Sequence, residues 1–134
     1  MSVTCGMRPL LIVALWCLLG VPGQALCQTS AENAACGKAE STAAMRECQS
    51  DRLKRADAGM NAAYRSLSAK LDQRGQAKLR AAQEAWLKFR AAEADYQADA
   101  TRDGTLAPLI AERVRADLTE SRRKNLEKAA AELK

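Results

Sequence analysis

Ala82-Gln83-Glu84-Ala85-Trp86-Leu87-Lys88-Phe89-Arg90 holds one of the two Trp and the only Phe of a 134-residue chain with 4% aromatic residues. Trp86 and Phe89 share a face if the stretch is helical, and Arg90 borders that face one turn after Trp86. These are the largest side chains available, so the segments on either side must supply the core that receives them.

Both flanks carry helical periodicity. The central stretch extends to a helix over 76–100 with the stripe Leu79, Ala82, Trp86, Phe89, Glu93 and Tyr96. Glu93 is the one acid in that row; it is solvated at the row's edge or pairs with a base across the interface. Upstream, Met45, Cys48, Leu53, Ala56, Met60, Tyr64, Leu67 and Leu71 recur at steps of three and four, which predicts a helix over 42–73. Such a helix is roughly 45 Å long. Ser41 or Thr42 can cap it, and Gly75 can end it in a left-handed conformation. Gly59 lies inside it at a cost of about 1 kcal/mol relative to Ala, which points to close helix packing there. Downstream, Arg102-Asp103-Gly104-Thr105 reads as a turn, and Thr105 can cap a third helix. Pro108 falls in its first turn, where a missing N–H costs nothing. Its stripe is Leu106, Leu109, Ile110, Val114, Leu118, Arg122, Leu126, Ala129 and Leu133. Short connections make sequential helices antiparallel. The expected fold is all-α: an elongated antiparallel three-helix bundle with a short disulfide-tethered N-terminal arm.

Residues 1–27 read as a signal peptide. Arg8 supplies positive charge, Leu10 to Leu19 form an apolar run, and Pro22 and Gly23 break it. Cleavage falls after Ala25 or after Cys27. The run is too short for a stable membrane span. A lipid anchor on Cys27 is disfavoured by Leu26, which stands where lipoprotein processing wants a small residue. The mature domain is then 28–134, periplasmic or secreted. The 21 Lys and Arg fall to 20 with the loss of Arg8, against 16 Asp and Glu, net +4.

Cys5 and Cys17 leave with the signal, and Cys27 leaves with it if cleavage follows that residue. Cys36 and Cys48 remain, and in an oxidising compartment two Cys in a small domain are most simply a disulfide. The arm 28–40 must then fold back onto the first helix. Closing a loop of this size stabilises by roughly 3 kcal/mol in the chain-entropy model. A redox-active pair would want a much closer spacing than a sequence separation of 12.

Three motifs follow in order: Asp57-x-x-Met60-Asn61-x-x-Tyr64-x-x-Leu67, then Leu79-x-x-Ala82-Gln83-x-x-Trp86-x-x-Phe89-Arg90, then Leu118-Thr119-x-x-Arg122-x-x-x-Leu126. With Cys36 and Cys48, they resemble the LprI-type lysozyme-inhibitor N-terminal domain family of small exported bacterial helical proteins. The resemblance spans essentially the whole mature chain. It departs in two places. Family members often carry a second Cys pair, where Ala94 and the neighbourhood of Val114 stand here, and an Asp often follows the Arg, where this chain has Ala91. The resemblance implies an inhibitor that blocks a cleft lined by catalytic carboxylates.

Tyr64, Trp86 and Phe89 read as core from their spacing. Asn61, Gln83, Arg90 and Arg122 read as a polar network between helices, with Arg90 or Arg122 reaching Asp57 or Glu93, because a buried Arg without a partner is costly. Thr119 and Leu126 complete the motif set. Arg74 and Arg102, in the two turns, are candidate contacts to a lysozyme cleft by position alone. The chain has no His, no nucleophile beside an evident base, no metal-ligand spacing and no phosphate-cradling Gly loop, so neither catalysis nor a cofactor is expected. The alternative reading is a periplasmic protein-binding or envelope-associated assembly module, for which Arg122-Arg123-Lys124 could meet an anionic polymer. Export and interleaved charge argue against nucleic acid.

Overall fold

The computed structural model describes residues 32–133, so the expected signal peptide lies outside the described residues. Four helices fill this span: α1 over 32–36, α2 Thr42–Ser68, α3 Gln73–Asp99 and α4 Leu106–Glu132. The N-terminal arm carries one short helical turn, α1, fastened to α2 by the Cys36–Cys48 disulfide with 5.4 Å between Cα atoms.

Ser41 caps α2, its Oγ accepting from the Ala44 amide at 3.2 Å. α2 stops at Ser68, about a turn before the expected end, because Asp72 begins the next helix rather than closing this one. Asp72 Oδ1 accepts from the Gly75 amide at 2.7 Å, which places Gly75 inside the first turn of α3 and not in a left-handed cap. Gln76 then donates back to the carbonyls of Ser68 and Leu71 at 3.1 and 3.0 Å, satisfying the open end of α2. Thr105 stands at the N-cap position of α4 without a side-chain cap bond. In that turn the left-handed position is taken by Asp103 (φ 65°), not by Gly104.

Contacts along the helices fix their directions. Arg46 meets Glu112, Arg52 meets Asp117, and Lys70 Nζ donates to the Ala130 carbonyl, so α2 and α4 run parallel. Arg115 meets Asp95, Arg90 meets Thr119 and Arg122 meets Gln83, so α3 runs opposite to both. α4 packs against both neighbours, while α2 and α3 scarcely touch. The organising helix is therefore α4 rather than the aromatic α3.

Two small apolar clusters sit at different levels along α4. One joins Ala94 and Ala98 to Ala111 and Val114. The other joins Met60, Ala63 and Leu67 to Leu126 and Ala130, with Tyr64, Leu79 and Trp86 against it. The first cluster is mostly Ala, so hydrophobic burial per residue there is modest. Gly59 lies where a Cβ would come within 2.8 Å of Arg123 Cδ, which accounts for the missing side chain by close packing of α2 on α4. Arg123 is flexible and can swing aside. Gly59→Ala should therefore gain up to about 1 kcal/mol of helix propensity and lose part of it to Arg123. A thermal melt should show a net change below about 1 kcal/mol.

Candidate functional site

Between the two clusters lies a polar layer. Arg52, one turn after the disulfide on α2, is only 2% exposed. Its Nε and Nη2 donate to the two oxygens of Glu120 at 2.9 and 2.7 Å, a bidentate pair. Nη2 also reaches Asp117 at 2.7 Å, and Nη1 reaches Gln49 Oε1 at 3.4 Å. Burial pushes the guanidinium's pKa down, but the hydrogen bonds and charges of Glu120 and Asp117 outweigh it and hold the pKa above its ordinary value. Gln49 turns its amide to Asn33 Oδ1 at 2.7 Å, so the network continues into α1.

A second arginine crosses from α3. Arg90 Nη1 donates to Asp57 Oδ1 at 2.6 Å on α2 and to Thr119 Oγ1 at 2.8 Å on α4. Thr119, fully buried, donates its own hydroxyl hydrogen bond to the Arg115 carbonyl at 2.7 Å. Arg90 thus links α3 to both other long helices, including α2, which α3 otherwise scarcely touches. Its guanidinium carbon also lies 5.1 Å from the centre of the Trp86 ring. Arg122 approaches the same ring at 5.9 Å and donates to Gln83 Oε1 at 3.1 Å. Gln83 in turn points its amide at Met60 Sδ, 3.3 Å away. No described carboxylate lies within ion-pair reach of Arg122, and burial lowers its pKa. Gln83 and the Trp86 face are what compensate this half-buried charge.

Asp57, Gln83, Trp86, Arg90, Thr119 and Arg122 are therefore one connected group spanning three helices. Arg90→Ala should cost about 1.5–3 kcal/mol, since it unpairs a buried hydroxyl and a carboxylate at once. Arg90→Lys should recover less than half, because an ammonium cannot reproduce the guanidinium fork. The shift in melting temperature of the two variants measures both.

Other motif residues do not join the group. Tyr64 and Leu126 pack in the apolar cluster. Asn61 is exposed. Phe89, expected in the core, is 50% exposed and Tyr96 is 75% exposed. The inward row of α3 is instead Leu79, Gln83, Trp86, Arg90, Ala94 and Ala98, and Phe89 and Tyr96 lie roughly 60–80° around the helix from Trp86. Glu93 accepts from Gln97 at 2.8 Å on the helix surface. Arg74, expected in a turn, lies in the first turn of α3 because Asp72 caps that helix, and Arg102 lies in the turn beyond its other end, about 40 Å away at 1.5 Å per residue. Arg102 is paired with Asp99.

Gln49, Arg52, Asp117 and Glu120 were not singled out from the sequence. Arg52 falls in register with Ala56 and Met60, and Glu120 sits one position from Thr119, so charges in an apolar row were the available signal. Of the surface depressions, the one between α2 and the start of α4 has a volume of about 320 Å³ and is lined by side chains of both signs, including Arg46, Asp51, Lys54 and Glu112. Glu112 Oε2 is buried there without a partner among the described residues. No group of three or more His, Cys, Asp or Glu among the described residues could hold a metal ion. No described helix is long and apolar enough to cross a membrane.

Neither the curated proteins nor the solved structures contain a match to this chain. A family model described as lysozyme inhibitor LprI matches residues 33–126. That span takes in the disulfide, the Arg52 pair and the whole group around Arg90 and Trp86. With a match over most of its length, the chain belongs to the LprI family of lysozyme inhibitors.

Proposed function

We propose that the protein is a non-enzymatic, exported inhibitor of a lysozyme, built as an elongated three-helix bundle with its N-terminal segment tethered by disulfide. The reading includes removal of 1–27 as a signal peptide and action in the periplasm or outside the cell. The observation that carries it is the family match over residues 33–126. The polar layer supports a scaffold role for the motif residues: Arg52, Arg90 and Arg122 are turned inward onto Glu120, Asp57 and Gln83. The contact with a partner then falls to exposed residues. A basic side chain at one end of a rigid rod suits a cleft lined by carboxylates. Arg74 and Arg102 lie too far apart to enter one cleft together, so one of them makes that contact. A net charge of +4 gives no long-range steering toward basic lysozymes, and the contact must be short-ranged.

The test is turnover of a cell-wall substrate by several lysozyme types, with the oxidised protein added at two salt concentrations. Dose-dependent inhibition that survives moderate salt is expected. Arg74→Ala or Arg102→Ala, but not both, should weaken it at least about tenfold, a loss near 1.4 kcal/mol. No inhibition of any type by a folded, helical sample would favour a module that binds another envelope partner.

A further inference from the structure

The outward face of α3 carries a second stripe that the fold leaves uncovered. Ala82, Ala85, Phe89, Ala92 and Tyr96 follow one another at steps of three and four, all exposed. This is the a/d spacing of a coiled-coil seam. Phe89 and Tyr96 belong to neither apolar cluster. Charge along the same stripe is segregated: Arg74 and Lys78 precede the apolar run, and Asp99, which also accepts from Arg102, closes α3 after it. A pattern that reads positive, apolar, negative is complementary to itself when reversed.

We propose that this face binds a second copy of the chain, α3 against α3 in antiparallel orientation. A two-fold axis between Lys88 and Phe89 brings Phe89 of both copies together. It sets Ala92 opposite Ala85 of the second copy and places the Tyr96 ring over Ala81 and Ala82, where small side chains leave room for it. The same axis sets Lys78 opposite Asp99 at both ends of the seam, where Asp99 is shared with Arg102 of its own copy. Any other orientation loses this match: a parallel pairing puts Lys78 on Lys78 and Asp99 on Asp99. A single helix pair is a small interface, so a dissociation constant on the order of micromolar to 100 micromolar is expected. The end pairs are exposed, so dimerisation should weaken with salt.

Sedimentation equilibrium of the purified, oxidised protein from about 5 micromolar to 1 millimolar tests this, in a range set by that affinity. A reversible monomer–dimer equilibrium is expected. Phe89→Ser and Tyr96→Ser should each weaken it at least tenfold while leaving the melting temperature of the dilute monomer unchanged, since both side chains are exposed. Lys78→Asp and Asp99→Lys should each weaken it severalfold, and the double exchange should restore it to within about threefold of the original, as expected for a reciprocal pair. A monomer at every concentration overturns the proposal. So does a dimer indifferent to Phe89→Ser and Tyr96→Ser, or a double exchange no better than its single variants. Loss of lysozyme inhibition in the two Ser variants of a strictly monomeric protein would assign the face to the enzyme instead, and would equally overturn it.

Discussion

Arg52→Ala should be the most damaging single substitution in the chain, lowering stability by about 3–5 kcal/mol, because it leaves a buried carboxylate without its counter-charge. Glu120 is 10% exposed in its side chain and would be stranded, whereas Asp117, at 48%, can turn to solvent. For a domain of about 100 residues this corresponds to a fall in melting temperature of roughly 15–30 °C. The two apolar clusters are small, four and five buried residues, and cannot absorb such a loss. The cost arises from stranding and not from the value of the pair as such. Replacing both partners by apolar residues of similar size, Arg52→Met with Glu120→Leu, should therefore recover most of the stability. Thermal melts of the single and double variants decide the matter. A single variant that melts within about 5 °C of the parent would mean that the layer does not depend on this pair.

Loss of the Cys36–Cys48 bridge should cost about 3 kcal/mol by loop-closure entropy, within the 2–5 kcal/mol typical of small secreted domains. Two further bonds depend on α1 staying in place. Asn33 holds the Gln49 amide, and Gln49 holds Arg52 from its other end. Releasing α1 therefore loosens the polar layer as well as the arm. Urea unfolding with and without reductant should show a lower midpoint for the reduced protein. The effect of Gln49→Ala should be smaller in the reduced protein than in the oxidised one, since the Asn33 contact is already lost. An unchanged midpoint on reduction would show that α1 contributes nothing to the stability of the long helices.

Much of the architecture was legible in the residues. Stripes at steps of three and four located three long helices, and Cys36 and Cys48, the pair beyond the expected leader, located the bridge. What failed were the ends. Asp72 could close one helix or open the next, and only the packing of Gln76 onto the Ser68 and Leu71 carbonyls decides between them. Gly75 looked like a terminator for the same reason. Phe89 was misplaced because α3 carries two adjacent stripes, an inward row through Gln83 and Trp86 and an outer one through Ala82 and Phe89, only roughly 60–80° apart around the helix. Periodicity cannot tell which of two such stripes faces inward, and the larger aromatics pulled the reading to the outer one. The Arg90–Asp57 pair was one of the alternatives that spacing allowed. Thr119 as the acceptor on the third helix, and the Arg52–Glu120 pair, required knowing that α2 and α4 run parallel at close range. Among the motif residues those turned inward have partners in the fold, which leaves the exposed face of α3 and the two turns as the places where a partner can be met.

The proposal that the protein acts by filling the catalytic cleft of a lysozyme is tested most directly by competition. Binding of the oxidised protein to a susceptible lysozyme would be measured by calorimetry with the cleft empty, and again with it saturated by a chito-oligosaccharide. The account predicts that the oligosaccharide abolishes binding, or weakens it in proportion to its own occupancy. Binding of undiminished affinity to the filled enzyme would contradict cleft blocking, and absence of binding to the empty enzyme would contradict the inhibitor reading itself.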